Sequence, residues 1–225
     1  MSEKKRAAAL RAVEWVRSGM TLGLGTGSTA YYAIEAIGRL VREGYDLLGV
    51  PTSKSTEKLA EKFGVPLVSL DDVNVIDVTI DGADEVDPKL RLIKGMGGAL
   101  LREKIVASMS KQEIIAVDDS KLVEILGTKS PLPVEVVPFG HRKTKESIER
   151  LGCVARLRGD SVPFITDGGN YVYDCRFARI ETPEDLESRL NLIPGVVENG
   201  LFIGLATRAV IGTEEGVVVI ERPQA

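Results

Sequence analysis

Short apolar runs alternate with helical segments through the first half of the chain, and this alternation constrains the fold more than any other feature. TLGLG (21–25), LLGV (47–50), VIDVTI (75–80) and EIIAV (113–117) have the length and residue types of buried strands. Between them stand TAYYAIEAIGRLVREG, SKSTEKLAEKFG and GALLREKIVASM, whose apolar positions recur at helical spacing, with Gly64 ending the second. DDSKLVEILG follows the last strand. Strands that alternate with helices predict a parallel sheet covered on both faces. The expected class is α/β, with a Rossmann-like parallel sheet flanked by helices.

The pattern changes near residue 130. PLPVEVVPFG carries three prolines among β-formers and reads as a linker entering an edge strand. KTKESIERLG is a short helix, and FITDGGNYVYD places a Gly-Gly turn between two β runs, a hairpin signal. TPEDLESRLNLIPG is a helix with a Thr cap and Pro at its first position. This βαββα-like block predicts a second, smaller α+β domain over 130–200, a possible oligomer contact. It is inserted into an α/β catalytic domain formed by 1–129 and 201–225. The final strands, in LFIGLATRAVIGTEEGVVVIE, are expected to rejoin the first domain.

Composition excludes several classes. The chain has 225 residues, 44% of them apolar and 28% charged, which argues for a folded core rather than extensive disorder. Its net charge of −4 comes from interleaved charges, so no basic stripe points to nucleic acid. No apolar run reaches the roughly 18–20 residues of a membrane span, and the N-terminus is too charged for a signal peptide. A cytoplasmic protein is expected. Cys153 and Cys175 stand in no CxxC pair and near no histidine, so both read as reduced packing residues and no zinc site is expected. His141, the single histidine, reads as a surface residue.

In an open parallel sheet, ligands bind beyond the carboxyl ends of the strands. Four predicted strands end in polar segments there: GTGST (25–29), PTSKST (51–56), DGADE (81–85) and DDSK (118–121). A fifth, KGMGG (94–98), is a glycine-rich turn entering a helix, and all five are expected along one edge. GTGST suits an anion cradle, because Gly25 and Gly27 let the backbone approach while Thr26, Ser28 and Thr29 offer hydroxyls at a helix start. Taken alone it is equally a capped strand-to-helix turn. It lacks the P-loop lysine, and Ala30 stands where the third glycine of a dinucleotide loop would be. KGMGG adds a second backbone cradle beside the Lys94 ammonium, or a plain tight turn with a solvated lysine. Glu103, one turn inside the next helix, taken alone is a surface glutamate paired with Arg102 or Lys104. Together these residues describe a small-anion site rimmed by carboxylates. The carboxylates either hold a metal or handle protons and sugar hydroxyls without one.

GLGTGST, TIDGADEVDP, LIKGMGGALLREKIVA, DDSKLV, PLPVEVVPFG and IPGVVENGLF, in that order, resemble the segments of the type A ribose-5-phosphate isomerases over nearly the whole chain. Met96 departs from a position where glycine is commoner, and Gly168 stands in DGGN where DNGN is commoner. The resemblance implies interconversion of D-ribose 5-phosphate and D-ribulose 5-phosphate through an enediolate, in the non-oxidative pentose phosphate pathway, with no metal and no organic cofactor. It implies Glu103 as the base, Asp81 and Lys94 as the groups that open the ring and shuttle hydroxyl protons, and Asp84 as a hydroxyl partner. It implies substrate contacts at Thr26, Gly27, Ser28, Thr29, Gly82, Ala83, Gly95, Met96, Gly97, Lys121 and Lys5. The implied partners are a sugar phosphate and copies of the same chain, as a homodimer or homotetramer. Within DGADEVDP, Asp81 and Asp84 are expected to face the site, with Glu85 and Asp87 in solvent or capping local backbone. The rivals are another sugar-phosphate enzyme on a related fold, or a sensor that needs the cradle but not Glu103.

Overall fold

The computed structural model describes residues 2–159 and 161–222. In chain order the elements are α1 (Glu3–Val13), β1 (Thr21–Leu24), α2 (Ser28–Arg42), β2 (Leu48–Pro51), α3 (Lys54–Phe63), β3 (Ile76–Asp81), β4 (Glu85–Val86) and β5 (Leu92–Ile93). There follow α4 (Leu100–Ser108), β6 (Ser110–Asp118), β7 (Leu132–Val136), α5 (His141–Glu149), β8 (Val154–Leu157), β9 (Tyr171–Arg176) and α6 (Pro183–Asn191). The last are β10 (Val196–Asn199), β11 (Leu201–Phe202), β12 (Arg208–Gly212) and β13 (Val217–Glu221).

Two compact units form. The first comprises the chain through Ala83, Arg102–Lys121 and the chain from Gly204; the second comprises Asp84–Leu101 and Leu122–Ile203. These boundaries run differently from 130 and 200. The segment 84–101 groups with the second unit because β4, β5 and β11 hydrogen-bond to one another as a small antiparallel sheet, and 122–129 follows through bridges of Leu122 to Val86 and Leu126 to Ile180.

The first unit holds a six-stranded sheet of order β13-β12-β6-β3-β1-β2. Neighbours from β12 to β2 pair in parallel, and only the edge strand β13 is antiparallel. Side chains alternate across it. Leu22, Leu24, Val78, Ile80, Ile114 and Ala116 face a core shared with α1 and α2, represented by Ala8, Ala12, Ile34 and Ile37. Val50, Ile76 and Val106 of α4 form a separate buried cluster. A side chain on Gly23 would fall 1.8 Å from Thr79 Oγ1 and 2.7 Å from Val106 Cγ1, so glycine there lets α4 lie close. The chain goes from β1 to β2 on one side, then returns to place β3 on the other. The topological switch point therefore lies between the carboxyl ends of β1 and β3.

The second unit holds a four-stranded antiparallel sheet, β10-β7-β9-β8. Its core gathers Leu132, Val134, Val136, Ile148, Tyr173, Leu186 and Leu190 with Cys153 and Cys175, both free thiols. Strand β7 is internal rather than an edge. Its Pro133 is tolerated because one residue's carbonyl and nitrogen point the same way. The Pro133 carbonyl accepts from Gly200 N–H, just past the last β7–β10 pair at Asn199, so the missing donor breaks no bond to β9. The hairpin pairs β8 with β9. The FIT run is not a strand; Thr166–Asn170 closes the Gly-Gly turn inside the connecting loop, with Thr166 N–H on Asn170 O. Thr182 occupies the cap position of α6 without a side-chain capping bond, while Pro183 opens the helix. Leu201 and Phe202 pair with β5 instead of joining the large sheet, which only β12 and β13 do. His141 is partly buried. Its Nδ1 lies 2.8 Å from the Tyr173 hydroxyl and its ring stands edge-on to Tyr171, a packing role rather than a surface one. Among the described residues no helix is long and apolar enough to cross a membrane.

Candidate active site

Strand β1 ends at Leu24 and the chain passes through Gly25, Thr26 and Gly27 into α2. Gly27 has φ +111, a conformation that favours glycine, and precedes the helix. Asp81, the last residue of β3, is buried beside this turn, and its Oδ1 accepts N–H bonds from Thr26 (3.1 Å) and Gly82 (2.7 Å). A Cβ on Gly25 would fall 2.2 Å from that same oxygen. The cradle therefore fits only against a glycine, and the Asp81 carboxylate is held from two sides at the switch point.

The hydroxyl of Thr26 turns into a cluster from the β2–α3 connection, 2.8 Å from Thr52 Oγ1, 2.9 Å from Ser53 Oγ and 3.0 Å from Thr56 Oγ1. Thr52 and Thr56 bond onward to the carbonyls of Leu24 and Gly25. Thr26 thus contributes its N–H to the carboxylate and its side chain to the loop's rigidity, while Thr29 is buried. Gly27 and Ser28 are exposed at the mouth of a cavity of about 490 Å³, lined also by Lys5, Gly25, Tyr31, Ser55 and Thr56. Lys5 Nζ donates to Ser28 Oγ at 3.2 Å and stands 3.8 Å from Asp118 Oδ2. Burial raises the Asp118 carboxyl, but bonds from the Ser120 hydroxyl and N–H and the charges of Lys5 and Lys121 outweigh it and hold the group below its ordinary value. A cation pair braced by an anion, beside the amino end of α2, is suited to a phosphate.

Glu103 is the fourth residue of α4 and only 4% exposed, not the surface residue that its neighbours suggest. The helix runs against the strand direction, and Val106 packs on Gly23 and beside Thr79. Glu103 lies one turn earlier on the same helix face, toward the carboxyl edge of the sheet. Asp81 is two residues beyond Thr79, so it projects from the same sheet face. Asp81 and Glu103, 22 positions apart in sequence, share one face of one sheet edge.

The other predicted residues form a group within the second unit. Asp84 N–H bonds to Ile93 O, and Asp84 Oδ2 accepts the Met96 N–H at 3.0 Å. Lys94 is 2% exposed; its N–H bonds to Gly200 O, and its Nζ lies 5.3 Å from the centre of the Phe202 ring. Gly95 has φ +106 and Gly98 φ +78, and Gly98 N–H closes the turn on Gly95 O at 3.0 Å. Met96 and Gly97 are exposed at its tip. KGMGG thus follows β5 of the small antiparallel sheet rather than a strand of the parallel one.

The acidic cluster is dispersed by its backbone partners. Glu85 is fully buried and accepts N–H bonds from Gly127, Lys129 and Ser130, which are remote in sequence, so it is neither in solvent nor a local cap. Asp87 caps local backbone as expected, accepting from Lys89 and Arg91 N–H, and it is buried beneath the Arg91 guanidinium. Among the described residues no group of three or more His, Cys, Asp or Glu side chains is gathered to hold a metal. Sequence reasoning did not find Tyr31, the bracing role of Asp118, or Arg158, which donates to Gly95 O and Met96 O of the turn. The DDSK segment offered a signal for Asp118. Nothing near Arg158 in sequence could have done so.

Residues 48–216 match the family model of ribose 5-phosphate isomerase A (phosphoriboisomerase A). The chain belongs to this family. It is 53% identical over 227 residues to the ribose-5-phosphate isomerase A of Parvibaculum lavamentivorans, covering 97% of this chain and 98% of that one. Its identity to the Thermococcus kodakarensis protein of the same name is 48%, with 99% of each covered. A solved D-ribose-5-phosphate isomerase in complex with phospho-erythronic acid superposes with a TM-score of 0.95 at 43% identity, covering 99% of this chain and 100% of that one. The ribose 5-phosphate isomerase A of Methanocaldococcus jannaschii gives 0.93 at 42% identity, covering 97% and 98%.

Proposed function

We propose that Glu103 is the base of an isomerisation that runs through an enediolate, with Asp81, Asp84 and Lys94 as its polar partners. The chain interconverts ribose 5-phosphate and ribulose 5-phosphate, a reaction of the pentose phosphate pathway. In the forward direction Glu103 removes the proton from carbon 2 and returns it to carbon 1, while a hydroxyl proton passes from oxygen 2 to oxygen 1. A proton α to a carbonyl is weakly acidic, so the charge that develops on oxygen must be met where it forms. The Lys94 ammonium and the Gly97 N–H take that role. Asp81 moves hydroxyl protons and opens the ring together with Lys94, and Asp84 holds a hydroxyl. Gly82 and Ala83 border the sugar through backbone. Lys5, Ser28 and Lys121 take the phosphate, whose binding energy orients the reacting carbons. No step requires a metal or organic cofactor.

The observation that carries this reading is the placement of Asp81 and Glu103 on one face at the switch point, beside a cavity with a lysine and a helix start. Glu103→Gln removes the base and keeps the volume. The expected result is a folded protein that still binds phospho-erythronic acid and has kcat/KM lower by at least ~10²-fold. Near-normal turnover would remove Glu103 from the mechanism. A sensor would bind the sugar phosphate with no turnover in the unaltered chain.

The protein acts in the cytosol, where the Cys153 and Cys175 thiols stay reduced, and assembles as a homodimer or homotetramer. Phe139 and Leu192, 93% and 81% exposed within the 130–200 segment, support a contact there. Light scattering at micromolar concentration tests it, and a monomer would refute it.

A further inference from the structure

We infer that Arg158 is a positioning residue for catalysis: anchored on Asp174, its guanidinium fixes the Gly95–Met96 and Met96–Gly97 peptide planes of the turn that carries Lys94. Arg158 Nε donates to Asp174 Oδ2 at 3.0 Å and Nη2 donates to Oδ1, a two-pronged pairing that sets the plane of the group. The remaining arm, Nη1, donates to Gly95 O at 2.9 Å and to Met96 O at 3.2 Å. These are consecutive carbonyls of the turn that carries Lys94.

A trans peptide points its N–H opposite to its C=O. The Gly95–Met96 peptide therefore offers its N–H on the side away from Arg158, and there Asp84 Oδ2 accepts it at 3.0 Å. That plane is clamped from both sides. The Met96–Gly97 peptide is held through its carbonyl by the same Nη1, so its Gly97 N–H is also turned away from the arginine. Arg158 thus sets the direction of the backbone donor next to Asp84. Phe164 completes the support. The Arg158 guanidinium lies 5.8 Å from its ring centre, and a Cβ on Gly98 would come within 2.4 Å of the ring. A lysine could not do this work, since one ammonium cannot span a carboxylate and two carbonyls in a fixed plane.

This inference rests on the reading of the Lys94 turn as a substrate contact. If Arg158 only stabilised the β8–β9 hairpin, its loss would lower the melting temperature and leave kcat intact. If it positions the turn, the loss falls on kcat, because a displacement near 1 Å of a catalytic donor costs on the order of 10²-fold. The experiment measures kcat and KM for ribose 5-phosphate in Arg158→Ala, Arg158→Lys, Asp174→Asn and Lys94→Ala, with circular dichroism as the check of folding. Arg158→Ala is expected to lose ~10²-fold in kcat with KM changed less than about threefold. Arg158→Lys should recover little of it. Added millimolar guanidinium chloride should restore part of the turnover of Arg158→Ala and none of that of Lys94→Ala. Turnover of folded Arg158→Ala within threefold of the unaltered enzyme, beside a crippled Lys94→Ala, overturns this inference alone. Full turnover in Lys94→Ala overturns the catalytic reading of the turn and this inference with it. Should Arg158→Ala fail to fold, Asp174→Asn decides: it keeps the volume and frees the guanidinium, and an unchanged kcat overturns the inference.

Discussion

Gly25→Ala should damage both stability and catalysis through a single added methyl. The backbone of Gly25 needs no positive φ, so the effect is steric. The new Cβ would stand 2.2 Å from Asp81 Oδ1, 2.4 Å from Asp81 Cγ and 2.6 Å from Asp81 Cα. The carboxylate could rotate away, but the Cα belongs to β3. Carbon–carbon contacts are comfortable only near 3.5–4.0 Å, so β1 and β3 must part by roughly 1 Å at their carboxyl ends. Overpacking of this kind costs about 1–3 kcal/mol. It also pulls Asp81 Oδ1 off the Thr26 and Gly82 N–H groups. A displacement near 1 Å at a reacting group predicts ~10²-fold lower kcat/KM. Urea unfolding reads the first effect and a ribulose 5-phosphate assay the second. The double variant Gly25→Ala/Asp81→Ala sharpens the test: with the carboxylate gone, the extra methyl should lower activity by less than about threefold further. A Gly25→Ala enzyme within threefold in kcat/KM and within ~0.5 kcal/mol in stability would refute the account of the cradle.

Asp77 lies at the other end of β3. Lys111 Nζ, 2.7 Å away, is the main cause of its lowered pKa, with the Thr21 N–H adding to it and burial opposing. A depressed carboxyl contributes stability above its unfolded value near 3.8 and loses it as pH falls through the lower folded value. Asp77→Asn should therefore cost a few tenths of a kcal/mol at neutral pH, the scale of an exposed pair, and nothing at strongly acid pH; a constant difference across an acid titration would count against it. Dialysis against EDTA should leave turnover unchanged, and loss restored by added divalent cation would refute the cofactor-free mechanism.

Much of this molecule was legible along the chain because the relevant forces act locally. Apolar periodicity marked β1, β2, β3 and β6 and the helices between them, since a strand or helix buries a face that repeats within a few residues. The edge position of the GTGST, PTSKST, DGADE and DDSK segments followed, because parallel strands share one carboxyl end. The family motifs named the residues proposed for the site. Tertiary structure alone decided what depended on contacts between remote segments. It buried Glu85 under three N–H groups more than 40 positions away, made β7 internal despite Pro133, and sent Leu201–Phe202 to β5. It also brought Arg158 to carbonyls 62 and 63 positions earlier. No local periodicity encodes such pairings. They are selected by which buried polar groups find partners once the chain has collapsed, since an unmet N–H or carboxylate in the interior costs more than any propensity can return.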